Sequence, residues 1–136
     1  MKRILILLLS AALFLASCGT PGVYLLDDHL PELIDPSTQY PYTEKITVTQ
    51  CSTGKVLEYT EGSDHDLIRM RLEGIRCIRE KDTGALTPLY TIEFTTTDGT
   101  VTLHIASEYD YILDGYVYEA MRSSVDLLYF DGLFAE

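Results

Sequence analysis

Three cysteines, three histidines and 21 carboxylates are the groups in this 136-residue chain that could do chemistry. Their spacing supports little of it. Cys18, Cys51 and Cys77 form no CxxC pair and have no histidine at ligand spacing, so no zinc site is indicated. Asp64-His65-Asp66 is the most ligand-like run. Adjacent residues on a helix point different ways, however, and acids are favoured in a first helical turn, where free N–H groups attract negative charge. The sequence contains no EF-hand loop and no G-x-S-x-G, and Gly54, Gly62 and Gly74 stand singly rather than in a phosphate loop. His104 falls on the polar side of an alternating run and His29 lies among prolines, so both are expected to be solvated. A carboxylate pair such as Asp110 and Glu119 is expected from abundance alone in so acidic a chain and singles out no hydrolytic site. The expectation is a protein without catalytic, cofactor-binding or metal-binding residues, and not an enzyme.

Binding chemistry is better represented. Asp114-Gly115 suits the two-residue type I′ turn of a hairpin. That turn would pair Leu113 with Tyr116, Ile112 with Val117, Tyr111 with Tyr118 and Asp110 with Glu119. Alternation then places Tyr109, Tyr111, Leu113, Tyr116 and Tyr118 on one face, and Ile112, Val117, Asp110 and Glu119 on the other. Facing carboxylates repel and need water, which makes the tyrosine face the expected core face. The sharper alternative is an exposed aromatic platform, with Tyr109, Tyr111, Tyr116 and Tyr118 as partner-binding residues, because a tyrosine ring is apolar and its hydroxyl polar.

The elements that must position these residues are readable from period and turn chemistry. Ile46 and Val48 alternate with Lys45, Thr47 and Thr49 in one strand, and residues 55–60 form a second after Ser52-Thr53-Gly54. Leu67, Ile68, Leu72 and Ile75 have helical spacing, which predicts a helix over 64–73 stopped by Gly74. Strands are expected over 75–81, 89–96 and 100–107, then the 109–120 hairpin, with Asp82-Thr83-Gly84 and Thr97-Asp98-Gly99 as turns. Ser123 and Asp126 precede a short C-terminal helix that Gly132 can stop. The fold class is α+β: an antiparallel sheet of about 4–6 strands with one helix packed on a face and a short C-terminal helix.

The N-terminus carries an address. Lys2 and Arg3 precede the uncharged run Ile4–Ser17, which is shorter than the about 20 apolar residues a spanning helix needs. Leu15-Ala16-Ser17-Cys18 resembles the lipobox of bacterial lipoproteins. The resemblance implies cleavage before Cys18 and lipidation of its thiol, with residues 1–17 a signal peptide, 18–44 the lipidated cysteine and a tether, and 45–136 a single domain. Several acyl chains on one residue would give lasting attachment to the cell membrane or outer membrane, on the extracytoplasmic side. Gly19, Pro21, Gly22, Pro31, Pro36 and Pro41 interrupt the tether, which as a flexible coil would span roughly 30 Å. Its apolar residues Val23 to Leu26, Leu30, Leu33 and Ile34 could still dock as a strand or short turn. With Cys18 lipidated, Cys51 and Cys77 remain as an even pair that permits a disulfide in an oxidising compartment. The net charge is −11, and Arg122 is the one Lys or Arg between Thr83 and Glu136. Such a surface repels nucleic acid and anionic headgroups and favours a basic partner.

Lys45-Ile46-Thr47-Val48, the helix Asp66–Leu72, Tyr90-Thr91-Ile92-Glu93-Phe94, Thr97-Asp98-Gly99 and Ile112-Leu113-Asp114-Gly115-Tyr116 follow an order similar to that of small lipoproteins of Gram-positive bacteria. That resemblance implies no activity. The reading is a membrane-anchored module that binds an envelope protein or peptide. The competing readings are an accessory envelope lipoprotein without a discrete site and a small-ligand or cation binder. Cys18→Ala is expected to release the chain from membranes into the soluble fraction, checked by fractionation and by the mass of the mature N-terminus.

Overall fold

A computed structural model describes residues 22–31, 43–60 and 63–135. Cys18, the signal segment and part of the tether lie outside the described residues. The strands are β1 (Val23–Leu25), β2 (Thr43–Gln50), β3 (Val56–Tyr59), β4 (Arg76–Lys81), β5 (Tyr90–Thr96), β6 (Gly99–Ile105), β7 (Asp110–Leu113) and β8 (Tyr116–Ala120). The helices are α1 (Ser63–Met70) and α2 (Leu127–Leu133), and Leu26–His29 forms a 3-10 turn after β1. All strands join one antiparallel sheet in the order β1-β4-β8-β7-β6-β5-β2-β3. The chain makes the β2–β3 hairpin at one edge, passes through α1 to β4 near the other, and fills the space between with the meander β5 to β8.

The expected α+β architecture is present, but the sheet has 8 strands rather than 4–6. The last hairpin contributes two full strands, and β1, from the stretch read as tether, adds another against β4 with Tyr24 opposite Cys77. Strand alternation divides the sheet into two chemically different faces. Ile46 and Val48 face Phe94 and Ile92 across β2–β5, and these face Val101 and Leu103 on β6. Leu103 and Ile105 face Leu113 and Tyr111, and Tyr111 faces Tyr118. This side is covered by Ile68 of α1, Phe130 of α2, and Leu26, Leu30, Leu72, Ile75 and Val125 from the connections, in a single core. Burying each such side chain contributes about 1.5–3 kcal/mol.

The helices differ from expectation at their ends. The regular part of α1 stops at Met70, and a turn carries the chain through Gly74 at φ +74°, a conformation that glycine adopts without a Cβ penalty. The cap of α2 is Asp126, whose side chain accepts from the Tyr129 N–H, and Gly132 lies inside the helix rather than ending it. Arg71 ties the two helices together, 3.5 Å from the Asp126 carboxylate and with its guanidinium 4.8 Å from the Tyr129 ring centre.

The segment 22–31 is fastened by more than β1. The Leu26 N–H donates to Ile75 O at 3.0 Å, and the Gly74 N–H donates to the Asp27 carboxylate at 3.0 Å. Arg69, on the buried side of α1, donates from Nε to Pro31 O at 3.0 Å and from Nη2 to Asp27 O at 3.2 Å. A buried guanidinium thus takes two backbone carbonyls from a segment more than thirty residues earlier and holds it against the helix. Arg69→Ala is expected to lower stability by about 2–4 kcal/mol. Urea unfolding measures that loss, and amide exchange should quicken first at Leu26 and Leu30.

Candidate functional site

The 109–120 hairpin has the register that its turn chemistry dictates. Asp114 and Gly115 sit at φ 51° and 80°, the paired positive angles of a type I′ turn. Leu113 pairs with Tyr116, Ile112 with Val117, Tyr111 with Tyr118 and Asp110 with Glu119. The four candidate tyrosines do not act together. Tyr111 and Tyr118 are core residues with essentially no exposed surface, which removes them from any partner platform. Tyr109 remains 51% exposed and Tyr116 39%. The Tyr111 hydroxyl donates to Glu108 O and accepts from the Val125 N–H at 2.9 Å, so it pins the approach to α2 onto the hairpin. Burial pushes its phenol well above the ordinary tyrosine range, with the Val125 bond opposing.

Tyr116 is engaged from within the chain. Arg79 of β4 lies opposite Tyr118 and places its guanidinium 4.1 Å from the Tyr24 ring centre and 4.3 Å from that of Tyr116. Its Nη1 donates to the Tyr118 hydroxyl at 3.5 Å. Tyr24 meets Tyr118 edge-on at 6.3 Å, and His29 packs 5.4 Å from Tyr118. His29, expected to be solvated, is therefore part of this cluster. A cation stacked between two aromatic faces is attracted by both ring quadrupoles. The arrangement joins β1, β4 and β8, and the cage that a partner's cation would want is filled by Arg79.

The other face of the hairpin carries no tyrosine and continues across the sheet. Cross-strand pairing sets Val56, Thr49, Thr91, His104, Ile112, Val117 and Glu80 in one row from β3 to β4. The next row runs Asp110, Glu119, Ile78, Val23. Ile78, Ile112 and Val117 are half-buried with no helix over them among the described residues, and acids flank them. Asp110 accepts from the Ser107 hydroxyl at 3.2 Å, and among the described residues no ion pair compensates Asp110, Glu119 or Glu80. His104 is not simply solvated, since its Nδ1 lies 2.9 Å from the Thr91 hydroxyl.

The Cys51–Cys77 bridge permitted by the sequence is not formed. Both thiols are free, Cys51 exposed beyond the end of β2 and Cys77 buried in β4. Four strands lie between β2 and β4 in the sheet, far beyond disulfide reach at about 4.8 Å per strand. Burial raises the Cys77 thiol to about 11. Among the described residues no group of three His, Cys, Asp or Glu side chains could hold a metal ion. His65 is buried with its Nδ1 3.3 Å from the Asp66 carboxylate, while Asp64 and Asp66 are exposed. Sequence reasoning missed Arg79 and Arg69, because each acts on a strand or segment distant in the chain. No helix among the described residues is long and apolar enough to cross a membrane.

No family model, curated protein or solved structure matches the chain. Tyr111→Phe is expected to cost about 1–3 kcal/mol, since the Val125 N–H loses its acceptor inside the core. Chemical denaturation of the variant checks this, with near-wild-type secondary structure by circular dichroism.

Proposed function

We propose that this chain is a lipid-anchored extracytoplasmic binding module, held to the membrane through Cys18, whose outer sheet face receives a basic protein or peptide of the envelope. The observation that carries this reading is the patch Ile78, Ile112 and Val117 edged by Asp110, Glu119 and Glu80. Half-buried branched side chains offer apolar contact, and carboxylates with no ion pair among the described residues offer charge to a basic partner. Keeping Asp110 and Glu119 directly opposite costs stability through repulsion, and a cationic partner would relieve it. The role in this reading is binding: on the same face the His104 Nδ1 lies 2.9 Å from the Thr91 hydroxyl, which in turn lies 3.5 Å from the Cys51 thiol.

The test places a photo-crosslinking residue at Val117 in cells making the full chain. A discrete adduct is expected. Its yield should fall about fivefold or more with Asp110→Asn/Glu119→Gln, the loss of about 1 kcal/mol, and fall again with added salt. No adduct, or an adduct indifferent to the two carboxylates, would reject the proposed face.

A further inference from the structure

Where the domain meets the bilayer follows from the β1 end of the same outer sheet face, and the inference rests on the lipid anchor proposed above. Leu25 pairs with Arg76, and the Met121 N–H donates to Arg76 O at 2.9 Å, so Leu25, Arg76 and Met121 form one row at the β1 edge. Beside it a shallow cavity of about 420 Å³ is lined by Val23, Gly74, Arg76, Met121, Arg122 and Ser123. Val23 is 57% exposed and Met121 53%. Arg122, the lone base of the chain's last third, is thereby brought beside Arg76. Among the described residues neither arginine has an ion pair. Of the nearby acids, Asp27 is committed to the Gly74 N–H, and Glu119 lies in the adjacent row.

We propose that this edge, with Val23, Leu25 and Met121 as apolar contacts and Arg76 and Arg122 on headgroup phosphates, is the face the domain lays on an anionic bilayer. Three observations point to that occupant. First, chain length: Cys18 to Val23 is five residues, at most about 18 Å when fully extended, so an anchor at Cys18 keeps β1 within that distance of the membrane. Second, the side chains match an interface: an arginine stem lies along apolar groups while its planar head reaches phosphate. Third, the attraction is local. The chain is −11 overall, but at physiological salt charges are screened beyond about 8 Å, so a bilayer touching this edge meets the two arginines with the nearest acids, Asp27 and Glu119, rather than the charge of the whole chain.

The experiment uses the full lipidated chain reconstituted into vesicles, carrying Cys51→Ser so that no exposed native thiol remains. An environment-sensitive dye is attached at Met121→Cys or, as control, at Leu128→Cys on α2, where the native side chain is 81% exposed. In vesicles containing phosphatidylglycerol the dye at 121 should shift to the blue and the dye at 128 should not. Arg76→Ala/Arg122→Ala should abolish the shift while the chain still sediments with the vesicles and melts as before. An unshifted dye at 121 on a sedimenting chain overturns the proposal and leaves the anchor standing. A shift of equal size in pure phosphatidylcholine overturns the role of the arginines. A shift that grows with protein concentration without vesicles assigns the edge to a second copy of the chain and overturns it too. If the unsubstituted lipidation site fails to hold the chain on vesicles, the anchor itself is wrong and this inference falls with it.

Discussion

The register of one hairpin decides which half of this sheet is core. Side chains alternate across a strand, so a slip of a single residue between β7 and β8 would turn Tyr111 and Tyr118 outward and carry Asp110 and Glu119 under the helices. The Asp114-Gly115 turn forbids it, because only the paired positive angles of that turn match the twist of the strands. The consequence spreads along the hydrogen-bond ladder. β8 sets β4, with Tyr118 opposite Arg79 and Ala120 opposite Cys77, and β4 sets β1, with Cys77 opposite Tyr24. The aromatic stack around Arg79, the fastening of the N-terminal segment and the acidic outer patch all inherit their geometry from two turn residues.

The same alternation accounts for the contrast between the faces. Both helices pack on one side, and their apolar stripes meet the branched and aromatic positions of β2, β5, β6, β7 and β8. On the other side the central strands present threonine and single charges, a composition that suits water. Towards β7, β8 and β4 that composition gives way to Ile112, Val117 and Ile78 among carboxylates. Branched apolar groups left half-covered beside acids that have no ion pair among the described residues are the features a binding reading uses.

How much was legible in the sequence follows the separation of the interacting residues. Elements fixed by neighbours along the chain were readable. The alternation of Tyr90, Ile92 and Phe94 with Thr91, Glu93 and Thr95 specifies a one-sided strand, and Asp114-Gly115 specifies its hairpin. Elements fixed by distant partners were not. β1 is three residues long between glycine and a 3-10 turn, and only its pairing with β4 makes it a strand. Arg69 occupies a helical position where sequence shows only a charge, yet it is buried because two carbonyls from 27 and 31 receive it. Arg79 sits in a strand that was expected, but the rings flanking it come from strands on both sides. The even pair Cys51 and Cys77 illustrates the converse: parity in the sequence says nothing about the strands that separate two thiols.

The N-terminal segment changes meaning once it is seen to be fastened. A flexible tether of 26 residues would let the domain sample a shell of roughly 30 Å with every orientation available. With β1 paired to β4, Tyr24 under Arg79 and Asp27 on Gly74, the stretch from Val23 onward is held to the domain rather than left as a tether. The proposed anchor at Cys18 would lie so close in the chain to an edge strand that it would couple position to orientation, holding the β1 edge nearest the lipid. Under that proposed constraint two weak arginine contacts would suffice to select an orientation, because the anchor would already have met the translational cost of reaching the surface. Val23 stands in the row of Ile78, Glu119 and Asp110, so the two proposed surfaces adjoin on one sheet face, and a bilayer at the β1 edge would leave β7 as the part of the acidic patch farthest from the lipid.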